Sequence, residues 1–379
     1  MTFRIEFIII VFRILFSVNR LFKIKYDTIF VKRDHIGDFV LWMGCVQKYK
    51  ENNKDKRICL ICSKSNYEIA QQSGLFNHII QIDNSIFQYL KLLGKRCSVL
   101  IAPTKSRTLK DDLVSVAISA KEKIAVKNDY TNSICEIDDN RIYNKIIEAD
   151  VMPEIQLNTH IYNCIMNSHE NNIYANLEVF ISERVISEPY AVINLGSSNP
   201  ARNWEINKFV ELIERIRKKR DFLCVLVGGK NELELSNHFV SDFTGKTINM
   251  VGKTTLKEMI SIVANSEFVI SNDTSTVHVS AACEIPCIYI SPGIHYGRFS
   301  EYPKADLKYR KHIPIGITSE KNKCFGCGVH NDNRMLKECE LMLKTGKTIP
   351  CIRDISVEKV FNIIENELQQ IGFNALEGD

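Results

Sequence analysis

The feature that most constrains this chain is a rhythm. Short apolar runs, each stopping at a polar or glycine-bearing turn ahead of a helical segment, recur in two consecutive series. The first series holds runs at 27–33, 57–62, 78–82, 97–102 and 123–126; the second holds runs at 190–195, 222–227, 247–251, 268–270 and 287–290. Runs of that length are the size of buried strands, and strands alternating with helices predict parallel sheets covered on both faces. The predicted fold is therefore α/β, with two doubly wound Rossmann-like domains joined near 171–188. A chain of 379 residues is long enough for both. Segments 138–147 and 155–168 read as helical, as does 356–371, capped by Ser356 with Glu358 and Lys359 in its first turn. Ligands of such sheets bind outside the carboxyl ends of the strands, so the expected site is a central cleft that the two domains face.

One stretch of the second series is the most pointed: 267–282, EFVISNDTSTVHVSAA. An apolar run meets Asn272 and Asp273, both favoured N-cap residues, and a helix of small and β-branched residues follows. The backbone N–H groups of Thr274, Ser275 and Thr276 would then point outward at the positive end of a helix dipole, a natural anion site. An ordinary capped turn is the competing reading, and the rest of the chain has to decide.

Charge and cysteine usage narrow the classes. A net charge of +4 is small for this length. It argues against a nucleic-acid binder and suits a protein handling anionic small molecules or touching an anionic membrane. The 13 cysteines are odd in number, and Cys59, Cys62 and Cys224 lie inside apolar runs, as thiols in a reducing cytosol do.

The segment 5–22 is rich in Phe, Ile and Val, but Arg13 interrupts it and the uninterrupted run 7–12 is too short to span a bilayer. No small-residue cleavage site follows, so no signal peptide is expected. At helical pitch Glu6, Arg13, Ser17 and Arg20 share one narrow face, with Arg4, Lys23 and Lys25 flanking the helix. Residues 1–25 are therefore predicted to form an amphipathic helix lying on an anionic membrane surface. That places the protein in the cytoplasm, peripheral on the inner face of the cytoplasmic membrane. A helix packed on the protein's own surface or on a second subunit is the alternative.

Several familiar signatures are absent. There is no G-x-G-x-x-G, no H-E-x-x-H and no G-x-S-x-G. Gly252-Lys253-Thr254 resembles the end of a P-loop, but Thr247 stands where the first glycine is required. What remains is four polar turns at strand ends. In the first, 33–38, Gly37 permits close backbone approach, and Asp38 projects from a helix start where a carboxylate can take a proton from an alcohol. Asp38 as a helix cap is the competitor. In the second, Gly196 is followed by Ser197, Ser198 and Arg202, whose forked cation suits phosphate oxygens, while Trp204 reads as packing. In the third, Gly228-Gly229 leads to Glu232 and Glu234, placed either to hold a ribose hydroxyl or simply to be solvated. The fourth is Asp273-Thr274-Ser275 with His278 one turn on, a ligand contact or a core histidine.

These turns, in this order, resemble glycosyltransferase family 9, the lipopolysaccharide heptosyltransferases. The resemblance rests on R-x-x-I-G-D-x-V-L at 33–41, Gly-Ser-Ser-x-x-x-Arg-x-Trp at 196–204, Gly228-Gly229, Val251-Gly252-Lys253-Thr254, and N-D-T-x-x-x-H at 272–278. It runs from about residue 27 to 303 and again, weakly, in the last helix. It implies a GT-B fold, with an acceptor-binding domain at 26–175 and a nucleotide-sugar domain at 185–350. A C-terminal helix at 355–372 is expected to pack back on the first domain. It also implies inverting, metal-independent transfer, with heptose from ADP-heptose moving to a lipopolysaccharide or related surface-glycan acceptor and no cofactor required for catalysis. Asp38 would be the general base, with Arg33 and Gly37 on the acceptor side. Ser197, Ser198 and Arg202 would contact the diphosphate and Glu232 the ribose. Asp273, Thr274 and Ser275, with His278 beyond, would meet the phosphate and sugar. Another nucleotide sugar, a protein acceptor, or a non-catalytic nucleotide-sugar-binding scaffold are the alternatives. The chain departs from the family where Gly44 replaces a frequent proline, where Ser275 replaces a glycine, and in its added N-terminal helix.

The tail holds Cys324-x-x-Cys327, then Cys339 and Cys351. One C-x-x-C pair with two further cysteines can hold structural zinc or iron tetrahedrally; four reduced, unlinked thiols is the other reading.

Overall fold

The computed structural model describes residues 2–83, 85–129, 139–299, 301–319, 326–327 and 337–370. They form two compact units, 1–150 with 155–179 and 151–154 with 180–379.

The first unit begins with α1 (Thr2–Phe16), β1 (Tyr26–Lys32), α2 (Ile36–Glu51), β2 (Ile58–Cys62), α3 (Lys64–Gln72) and β3 (His78–Gln81). After a 3-10 turn at Ile86–Leu92 come β4 (Arg96–Ala102), α4 (Leu109–Ala117), β5 (Ser119–Val126), β6 (Lys145–Ile147) and α5 (Glu154–Met166). All six strands are parallel, in the order β3-β2-β1-β4-β5-β6, with Thr28 of β1 opposite Ile58 on one side and Val99 on the other. The order reverses between β1 and β4, which makes their carboxyl ends the crevice where such sheets take ligands.

One expectation fails in this unit. Residues 139–147 are not a helix but a 3-10 turn, Asp139–Arg141, followed by edge strand β6; Asp138 lies outside the described residues. Asn144 explains the strand: its side-chain oxygen accepts from the Lys123 amide at 2.7 Å and its own amide donates to the Lys123 carbonyl at 3.0 Å. Those bonds hold the chain extended beside β5. Helix α1 packs on this domain. Ile5, Ile9, Phe12 and Phe16 are buried in the first core, against α4. The alternative of a helix packed on its own protein is therefore realised on one side of α1. Among the described residues no helix is long and apolar enough to cross a membrane.

The second unit runs β7 (Tyr190–Asn194), α6 (Ile206–Arg217), β8 (Leu223–Leu226), α7 (Leu233–Asp242), β9 (Thr247–Asn249), α8 (Leu256–Ala264), β10 (Phe268–Asn272) and α9 (Ser275–Cys283). It closes with β11 (Cys287–Ile290), β12 (Ile315–Ile317), α10 (Lys337–Thr345), α11 (Pro350–Arg353) and α12 (Val357–Gln370). The order β9-β8-β7-β10-β11-β12, again parallel, repeats that of the first sheet, so here the switch point lies between β7 and β10. Thr255 opens α8 with a capping box to Glu258.

Helix α12 belongs to the same core. It packs on α6 of its own unit, with Val360 and Ile364 fully buried in that core. Trp204 leads it there, donating its indole N–H to the Ile355 carbonyl at 3.0 Å, and Arg215 pairs with Glu358 at 2.7 Å.

Candidate functional site

Every polar turn singled out in the sequence sits at the carboxyl end of a strand. In the second unit the ends of β7 and β10 are tied together by asparagines. Asn272 is the last residue of β10, not the helix cap expected of it. Its side chain donates to the Leu195 carbonyl at 2.6 Å and accepts from the Trp204 amide at 3.0 Å. Asn194 donates to Thr276 at 2.8 Å and accepts from the Gly196 amide at 3.1 Å. The N-cap position of α9 falls to Thr274, with Ser275 as first helical residue. The first amides of that helix have no partner within it.

Beside that helix start runs a file of side chains. His295 Nδ1 lies 2.6 Å from Asp273 Oδ2, and Arg202 Nη1 lies 2.9 Å from His295 Nε2. A guanidinium only donates, so Nε2 accepts and Nδ1–H donates to the carboxylate. Arg202 also donates to the Ser198 hydroxyl. Burial pulls the Arg202 pKa down and Asp273 opposes it. Ser197 is turned inward, bonding to the Asn199 carbonyl at 2.8 Å.

Glu232 closes the other side of this strand-end surface. Oε1 accepts from the Gly229 amide at 3.3 Å, while Oε2 is buried without a hydrogen-bond partner among the described residues. A side chain at Gly196 or Gly228 would overlap this carboxyl group, so two glycines make the room it occupies. Burial raises its pKa. His278 goes to the core: it is 8% exposed, its Nδ1 meets the Tyr302 hydroxyl at 2.7 Å, and burial lowers its pKa to about 4. Glu234 lies in the first turn of α7, and Trp204 is buried as packing.

In the first unit Asp38 stands in the first turn of α2, half-buried at the carboxyl end of β1, with Gly37 just before it. The floor is ionic. Lys32, fully buried, pairs with Asp34 at 2.6 Å, and Asp34 accepts from Thr104 at 3.0 Å. Arg33, read in the sequence as on the acceptor side, turns its guanidinium onto its own unit. It pairs with Asp111 at 2.7 Å and donates to the carbonyls of Ile82 and Asp83, both at 3.1 Å. Arg33 thus braces the turn that carries Asp38.

Comparison with known proteins bears on both units. Residues 145–302 match the family model described as glycosyltransferase family 9 (heptosyltransferase). The resemblance read from the strand-end motifs is thereby found independently. Lipooligosaccharide heptosyltransferase 2 of Campylobacter jejuni is 25% identical over 181 residues, 47% of this chain and 50% of that protein, so the chain spans about half the length of the curated relatives it matches. Solved heptosyltransferases share the fold over nearly the whole length. E. coli ADP-heptose lps heptosyltransferase II superposes with a TM-score of 0.64 at 13% identity, covering 91% of this chain and 99% of that one. E. coli heptosyltransferase WaaC with ADP gives 0.65 at 14%, covering 90% and 99%. The dodecameric iron-containing heptosyltransferase TibC, in complex with ADP-D-beta-D-heptose, gives 0.55 at 13%, covering 92% and 78%.

Set beside the family 9 motifs, His295 is the residue that sequence reading missed. It ends the short turn Gly293–His295 after β11, outside every motif. The signal was positional: β11 is one more strand of the same sheet, and its carboxyl end merited the attention given to the others. The cysteine reading finds no support. Cys324 lies outside the described residues, Cys339 is buried in the second core and Cys351 packs against that core. Among the described residues no group of three or more His, Cys, Asp or Glu side chains could hold a metal.

Proposed function

We propose that this chain is an inverting glycosyltransferase that moves heptose from ADP-heptose to a lipopolysaccharide or related surface-glycan acceptor, with no metal in the chemical step. The observation that carries the reading is the file Asp273–His295–Arg202–Ser198, fixed beside the start of α9 at the ends of β7 and β10. A sugar leaving a nucleoside diphosphate deposits negative charge on phosphate, and fixed donors in place before the reaction stabilise that charge best. Arg202 and the first amides of α9 are such donors. The partnerless oxygen of Glu232 suits a ribose hydroxyl, which donates where the protein does not.

Asp38 accepts the proton of the acceptor hydroxyl as that oxygen bonds to the anomeric carbon. The bond from anomeric carbon to phosphate oxygen breaks, ADP leaves with its electron pair, and a single displacement inverts the configuration. Asp38→Asn is expected to lower turnover about 10²–10⁴-fold while leaving ADP affinity unchanged; normal turnover by that variant would refute the role. A thermal-shift series with ADP-, UDP- and GDP-sugars identifies the donor. Mass spectrometry of the product separates a glycan acceptor from a protein one, and absence of any transfer with every donor that binds would leave a binding scaffold.

A further inference from the structure

Helix α1 has two apolar faces on opposite sides. At 3.6 residues per turn the buried Ile5, Ile9, Phe12 and Phe16 form one stripe, while Phe7 and Ile14 lie opposite them, 62% and 67% exposed. The outward face continues into Leu21, 84% exposed, and into the 3-10 turn Ile86–Leu92, where Phe87 and Leu90 are 77% and 59% exposed. The two elements are joined. The Phe12 ring meets Tyr89 edge-on at 5.2 Å, and the Asn19 side chain bonds to the Leu92 carbonyl at 2.9 Å and the Gly94 amide at 2.7 Å. A helix that is apolar on both sides calls for a cover on both, and a patch of this kind exceeds the scattered apolar residues of an ordinary surface.

The charge around the patch has one sign. Between Phe7 and Tyr26 stand Arg13, Arg20, Lys23 and Lys25 with no acidic residue; between Ser85 and Arg96 stand Lys91, Lys95 and Arg96, again with none. The polar side of α1 continues into the 3-10 turn Ser17–Leu21, and its side chains are exposed. Arg13, Ser17 and Arg20 line a cavity of about 330 Å³ whose far wall carries Lys123 and Arg141. Burial, then the charges of Arg13 and Arg20, lower the Lys123 pKa to about 8, with Cys97 opposing. The carboxylate in reach is Glu6, paired with Arg141 at 2.7 Å. Four cations around one cavity suit a phosphate group.

We infer that this face of the first unit docks on an anionic phospholipid bilayer, with the outward side chains of α1 and the 86–92 turn entering the acyl boundary and the Arg13–Arg20–Lys123–Arg141 cavity taking a lipid phosphate. A phospholipid accounts for both halves of the surface at once. Free phosphate would explain the cavity but not the apolar face. A second copy would explain the apolar face but would bring one basic rim against its equal.

The test uses the full chain and vesicles of phosphatidylcholine alone or mixed with phosphatidylglycerol. The mixed vesicles should bind it, less so at high salt. Phe87→Asp with Leu90→Asp, and separately Arg20→Glu, should each lower the partition coefficient about tenfold without changing the melting temperature. Equal binding of the parent chain to both vesicle types would overturn the inference, as would variants that partition like it. So would inorganic phosphate that raises the melting temperature while vesicles fail to bind, which would mark a free-anion site. A concentration-dependent dimer abolished by Phe87→Asp would assign the face to a second copy instead.

Discussion

His295 stands between an anion and a cation, and the direction of its two hydrogen bonds requires a neutral ring protonated on Nδ1. In the proposed transfer it would act through Arg202, as a positioning residue. His295→Ala should therefore weaken ADP binding about tenfold, a loss of the size expected for one hydrogen bond to a charged group; unchanged affinity by calorimetry would show that Arg202 holds its pose unaided. His278 gives a prediction of another kind. Its folded pKa of about 4 lies below the ordinary 6.5, so the unfolded chain binds more protons between those values. The stability this neutral histidine contributes is present above about pH 6.5 and is lost as pH falls through about 4, by about 3 kcal/mol at most. Denaturant titrations across that window should show the fall, and His278→Gln should flatten it. Asp38, Arg202 and Asp273 stand at strand ends as expected because each belongs to a motif spaced after an apolar run. Arg33 belongs to one too, yet its bonds to Asp111 and two carbonyls depend on α4 and the end of β3, which no local spacing reveals.

At the level of elements, strands declared themselves by apolar runs and helices by what separated them. The failures are short or two-sided pieces. Edge strand β6 has three residues and owes its extension to Asn144, a side chain with no strand preference. The 86–92 turn mixes polar and apolar residues at no fixed period, and α12 could not announce which unit it would cover. Gly44 shows how an element's packing can outweigh its propensity. Replacing a helical glycine with alanine ordinarily adds up to about 1 kcal/mol. Here the new Cβ would overlap the Tyr174 carbonyl, which crosses α2 at that position. Gly44→Ala is therefore expected to destabilise by about 1–3 kcal/mol, and a raised melting temperature would contradict the close approach.

Over the molecule as a whole, two parallel six-stranded sheets carry the same strand order, each with its polar residues gathered at the reversal. Two doubly wound parallel sheets followed from alternation, since a right-handed crossover between parallel strands leaves few other arrangements; the sixth strand of each, β6 and β12, did not. If the donor set acts without a metal, transfer should survive exhaustive dialysis against EDTA; activity lost and then restored by a divalent cation would overturn that. ADP at a hundredfold excess over its dissociation constant should stabilise the chain by about 2.7 kcal/mol. The double-sided α1 also has a practical bearing on purification. Trimming the first 25 residues to gain solubility would remove Ile5, Ile9, Phe12 and Phe16 from the interior, each contributing about 1.5–3 kcal/mol. A better-behaved protein is to be sought by recolouring the outer side of that helix with polar residues and leaving its inner side untouched.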